Sequence, residues 1–129
     1  MKNYYTKMKL PEPLVPALQA LSLLKGQTAL VTGANSGIGR AIAVSLGRAG
    51  ANVVVNYVVK PEEAEAVVGE IQGGGGHATA IRADVGDEAQ VVAMFAEAVK
   101  AFGTVDILVS NAGMERNAPF HEMTTAQWD

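Results

Sequence analysis

Three glycines at fixed spacing, Gly33, Gly37 and Gly39, stand between an apolar run and an apolar helical pattern in the stretch "TALVTGANSGIGRAIAVSLGRAG" (residues 28–50). Glycine inside a structured element costs about 0.5–1 kcal/mol relative to alanine. Three of them at one junction therefore imply a tight turn that something approaches closely. The run "TALVT" (28–32) is short, apolar and opens on glycine, which reads as a buried strand. Ile38, Ile42, Ala43 and Leu46 then recur at helical spacing, and the pattern stops at Gly47 and Gly50. A strand that turns on glycine into a helix aims the first helical amides outward, with roughly half a positive charge from the helix dipole. The region has Arg40 and no acid. An anion suits such a place, and at the first crossover of a parallel sheet that anion is a dinucleotide pyrophosphate, bound outside the carboxyl ends of the strands.

The rest of the chain repeats the alternation. "NVVVNYV" (52–58) is β-branched and predicts a second strand. "PEEAEAVVGEIQ" (61–72) begins on proline followed by two acids, the composition of a helix start, and "GGGG" (73–76) ends it as a flexible connection. "HATAIRAD" (77–84) predicts a third strand. The clearest helix is "DEAQVVAMFAEAVKAFG" (87–103), with Val91, Met94, Phe95, Ala98 and Phe102 on one face. "VDILVS" (105–110) predicts a fourth strand, leading into a polar loop with "NAG". Strands that are continuously apolar and alternate with helices belong to an α/β fold, a doubly wound parallel sheet of Rossmann type.

Composition narrows the function classes. The chain has 129 residues, 49% hydrophobic and 18% charged, with a formal net charge of −3 and no basic cluster. That is one globular domain, and nucleic acid is not its expected partner. It has no cysteine, and its two histidines, His77 and His121, lie far apart, so no metal site is expected. Residues 1–25 read as an N-terminal extension, an irregular arm followed by a short surface helix, and residues 26–129 as the nucleotide-binding domain. The apolar stretch "LVPALQALSLL" (14–24) is too short to span a bilayer and lacks a cleavage signal, so a cytoplasmic protein without membrane contact is expected. The final "TTAQWD" (124–129) pairs Thr124 with Gln127 as a capping box and then stops after about one turn, as in a fragment cut within a helix.

The spacing of the glycines, read with its flanks as "TGANSGIG" (32–39), resembles the cofactor motif of the short-chain dehydrogenase/reductase family. Two further stretches agree with that resemblance, "ADV" (83–85) after the third strand and "SNAG" (110–113) after the fourth, where Ser110 replaces the family's usual asparagine. The resemblance covers residues 24–129, and the stretch 113–129 is most similar to glucose 1-dehydrogenase-type members, which points to a sugar or small alcohol as substrate. It implies a strand order of 3-2-1-4 and NAD or NADP as cofactor. It further implies that Gly33, Asn35, Ser36, Gly37, Ile38 and Gly39 form the pyrophosphate turn, that Asp84 and Val85 border the adenine, and that Asn111, Ala112 and Gly113 line the ribose and help fix the sheet. Tyr57 stands where an acid would select NAD and Val58 where a base would select NADP. With no acid to repel a 2′-phosphate and Lys60 within reach of one, the lean is to NADP or dual use.

The family's catalytic Asn, Ser, Tyr and Lys lie beyond the "NAG" loop, and residues 27–129 contain no Tyr-x-x-x-Lys. The resemblance thus assigns no catalytic residue here. It makes this chain the cofactor half of an oxidoreductase that moves a hydride between NAD(P) and a carbonyl or secondary alcohol, homo-oligomeric when whole and inactive as this part. The rival reading is a complete NAD(P)-binding or regulatory module without chemistry. Against it stands a fourth strand left at an open edge, which predicts poor solubility. Simpler roles stand beside some assignments: Asp84 as a cap for the helix that begins near Asp87, Asn111 as a loop asparagine satisfying backbone groups, and Asp106 as a strand-start acid.

Overall fold

The structure is a computed structural model and describes residues 22–113 and 119–125. Strands β1 (Thr28–Val31), β2 (Asn52–Tyr57), β3 (His77–Arg82) and β4 (Ile107–Val109) alternate with helices α1 (Gly37–Arg48), α2 (Pro61–Gly73) and α3 (Glu88–Phe102). The strands form one parallel sheet in the order β3-β2-β1-β4. Both the α/β class and the order match the sequence reading. The ends differ: β3 stops at Arg82, two residues early, and β4 keeps only three residues of the expected six. The expected helix at 124–129 falls largely on residues outside those described, as does most of the N-terminal extension.

Parallel strands covered on both faces divide their side chains by parity. Ala29, Val31, Val53 and Val55 point to one face, where they pack with Ala43, Val44, Ala64, Val67 and Ile71 of α1 and α2. Leu30 and Val54, paired across the register, point to the other face and pack with Ile81, Met94 and Ala98. Phe95 and Phe102, expected in the core, sit at its margin. Leu108 shares the second face but is 56% exposed, because α3 lies over the β3 side of the sheet. No helix among the described residues is long and apolar enough to cross a membrane.

Asp106 turns out to be a fastener. Its carboxylate accepts the Thr28 amide at 2.8 Å, and its own amide donates to the Thr28 carbonyl at 2.9 Å, which aligns the starts of β1 and β4. Asp87, rather than Asp84, caps α3 by accepting the amides of Ala89 and Gln90. The Gln90 side chain also donates to it at 2.9 Å, and this bond chiefly holds the Asp87 carboxyl below the usual range.

Two buried side chains in β1 give opposite expectations. Leu30 is fully buried, so Leu30→Ala should lower the unfolding free energy by about 3 kcal/mol through lost burial and the cavity left behind. The Thr28 hydroxyl is buried without a hydrogen-bond partner. Thr28→Val should therefore raise stability by about 1 kcal/mol, since it removes an unsatisfied group while keeping the shape. Urea denaturation of the two variants measures both.

Candidate functional site

The turn after β1 has few side chains of its own to hold it, so its neighbours do the holding. Asn56, near the end of β2, is 1% exposed and fully used. Its Oδ1 accepts the Gly33 amide at 3.2 Å, while its Nδ2 donates to the carbonyls of Ile81 and Ala83 at 3.3 and 3.0 Å. One side chain thus ties the turn to the segment that leaves β3. From the opposite flank, Asn111 Nδ2 donates to the carbonyls of Thr32 and Gly33 at 2.9 and 3.2 Å. The Thr32 hydroxyl accepts the amides of Asn111 and Ala112, both at 2.9 Å, and donates to the Val109 carbonyl. The turn is therefore braced from β2 on one side and from the loop after β4 on the other.

The three glycines have different causes. Gly33 adopts φ +61°, and a Cβ there would press on Ala112. At Gly39 a Cβ would collide with the Gly33 carbonyl oxygen and stand 2.5 Å from Asn111 Nδ2. Both are small because protein packs against them. Gly37 alone combines a positive φ of +54° with open space in front of it. Ser36 is the N-cap of α1 but makes no side-chain capping bond, and the first turn contains no acid. The first amides of α1 have no acceptor inside the helix, so they remain available to an anion at the point where Gly37 is open.

The other predicted residues surround this point unequally. Ile38 is 74% exposed beside an apolar groove formed by α1. Asn35 faces α2, its Nδ2 donating to the Val59 carbonyl and to Glu63 Oε2, both at 3.4 Å. Tyr57 is half-buried at the end of β2, opposite Arg82. Asp84 and Val85 are exposed beyond β3. The Asp84 carboxylate accepts the Gly86 amide at 2.9 Å, and its amide donates to Gln90 Oε1, so the residue forms its own tight turn. Asn111 and Ala112 lie against the glycine turn, and Gly113 is exposed next to them. Asn111 spends its amide on backbone carbonyls, which makes it a brace whatever else it touches.

The expectation of an acid-free site with an available Lys60 needs correction. Glu62 and Glu63 of α2 line a cleft of about 340 Å³ together with Asn35, Ser36, Gly37 and Arg40. Lys60 Nζ is bound to Glu63 Oε1 at 2.7 Å, a contact that raises the ammonium's pKa. Arg40 is likewise engaged, with Glu70 at 3.0 Å. A strand-end pattern shows only the acids of the strand itself, whereas these come in from the side on a helix. The sequence pattern also misses Asn56, whose only signal is a polar residue inside the β-branched run "VVVNY". Among the described residues no three potential metal ligands gather.

A family model described as short chain dehydrogenase matches residues 27–129. A short chain dehydrogenase of Passalora fulva is 48% identical over 106 residues, which are 82% of this chain and 40% of that protein. A 3-oxoacyl-(acyl-carrier-protein) reductase of Staphylococcus aureus is 48% identical over 103 residues, 80% of this chain and 42% of that one. Among solved structures, a dehydrogenase/reductase of Sinorhizobium meliloti superposes with a TM-score of 0.80 at 45% identity, over 85% of this chain and 44% of that one. A short chain dehydrogenase of Burkholderia cenocepacia, solved in complex with NADP, gives 0.77 at 42% identity, over 81% and 43% of the two chains. The chain spans about two fifths of the length of these relatives.

The bracing of the turn has a measurable consequence. Asn56→Leu keeps the approximate size but strands the Gly33 amide and two carbonyls, so it should cost about 3 kcal/mol in guanidinium denaturation.

Proposed function

The chain belongs to the short chain dehydrogenase family, and on that premise we propose that it binds a nicotinamide dinucleotide across the turn at residues 33–39. In the whole protein this part serves hydride transfer between that cofactor and the carbonyl or secondary alcohol of a small molecule. The observation that carries the reading is Gly37: an open, positive-φ glycine at the uncapped start of α1, at the carboxyl end of a central parallel strand. A phosphate placed there meets backbone amides and the positive end of the helix. The NADP bound by the Burkholderia cenocepacia relative supports the same ligand class here.

The bound cofactor supplies the hydride donor or acceptor. This chain's own residues bind and orient it. Asn56, Thr32 and Asn111 fix the turn before the ligand arrives, which reduces the ordering cost of binding. Ser36, Gly37, Ile38 and Gly39 present the first helical turn to the pyrophosphate. Asp84 and Val85, exposed beyond β3, border the adenine. Asn111, Ala112 and Gly113 flank the path toward the nicotinamide ribose. The chemistry itself falls to residues outside this set.

Binding of NADH and NADPH to the purified protein, followed by titration calorimetry, tests the reading. Asn and Asp both tolerate the left-handed conformation that Gly37 adopts. Gly37→Asn should therefore weaken binding modestly, and Gly37→Asp should weaken it by a further factor of about ten, because it sets a carboxylate against the pyrophosphate. Equal binding by the two variants would contradict the placement of the phosphates.

A further inference from the structure

We propose that the ion pair between Lys60 and Glu63 sets the balance between NAD and NADP, with Glu63 of α2 acting as the acid that the end of β2 lacks. This inference rests on the dinucleotide reading above. In a sheet of this kind the adenosine ribose lies between the glycine turn and the end of the second strand, where an acid accepts the 2′-hydroxyl or a base accepts the 2′-phosphate. Here the strand end offers Tyr57, Val58 and Val59, none of them a carboxylate, ammonium or guanidinium. The charge comes from the next turn. Glu63 reaches back so that Oε1 meets Lys60 Nζ at 2.7 Å and Oε2 meets Asn35 Nδ2 at 3.4 Å. One carboxylate therefore bridges the glycine turn and the loop after β2, on the wall of the cleft that contains Gly37.

The loop itself is held in an unusual shape. Lys60 is the only non-glycine residue with a positive φ among those described, at +58°. It is the residue just before α2 and begins the turn that brings its ammonium over Glu63, three residues on. Arg82, the other cation near this end of the sheet, has its Nε engaged with the Val58 carbonyl at 3.0 Å. Arg40 is engaged with Glu70.

The pair is exposed enough to rearrange, with side-chain exposures of 59% for Lys60 and 35% for Glu63. A 2′-hydroxyl donates to the Glu63 carboxylate and leaves the pair intact. A 2′-phosphate takes the Lys60 ammonium and must displace Glu63, which repels it. The intact pair is neutral and admits both cofactors. Each half of it favours one.

The test is the ratio of NADH to NADPH dissociation constants for the unaltered protein, Glu63→Gln and Lys60→Met. Both substitutions are at the surface and leave the core untouched. Glu63→Gln should shift the ratio toward NADPH by about fivefold and Lys60→Met toward NADH by a similar factor. If both cofactors bind and neither variant moves the ratio beyond about twofold, the inference is overturned while the dinucleotide reading stands. If neither cofactor binds the unaltered protein, it is the dinucleotide reading that fails.

Discussion

The structure depends on holding a turn that must stay uncovered. A ligand that approaches backbone amides needs a segment without side chains, and such a segment cannot pack itself in place. Asn56 and Asn111 resolve this from outside, each giving a side-chain amide to backbone groups of the turn or its neighbours. Because the two asparagines come from the ends of β2 and β4, the strands on either side of β1, the parallel order of the sheet is a condition of the site. Packing of alternate residues of β1 and β2 into two separate cores keeps those ends at one height.

The same geometry explains why charge at the site comes from the helix rather than the strand. β2 is buried on both faces as far as Asn56, and its end carries apolar or aromatic residues. The first turn of α2 stands beside the glycine turn, so its acids take the position. Glu63 thereby links the glycine turn to the start of α2, and its own partner Lys60 limits the negative potential that a phosphate would meet.

Much of this was legible in the sequence. Apolar runs of four to six residues between glycine stops gave the strands, and the glycine spacing marked the turn between β1 and α1. What was misread has physical causes. The run 77–84 continues past the last paired residue, where Asp84 serves a turn with Gly86, and the run 105–110 begins before β4, where the Asp106 carboxylate accepts the Thr28 amide. Periodicity put Phe95 and Phe102 in the core, but a helix over the β3 side of the sheet leaves part of its face open. Gly33 and Gly39 have Ala112, Asn111 and each other as neighbours in space, contacts that no local pattern reveals. Asn56 was overlooked for the same reason, since its partners lie more than twenty residues away, and Glu63 because Asn35, the contact that ties it to the glycine turn, is equally distant in sequence.

The central claim is that the turn is braced before any ligand binds, through Asn56 and Asn111. Native-state hydrogen exchange of backbone amides, read by NMR on the ligand-free protein, tests it most directly. The account predicts that the Gly33 amide, bonded to Asn56, exchanges as slowly as the amides of β1, while the Gly37 amide at the open start of α1 exchanges fast. Fast exchange at both glycines would show a turn that is not held by its neighbours and would contradict the account.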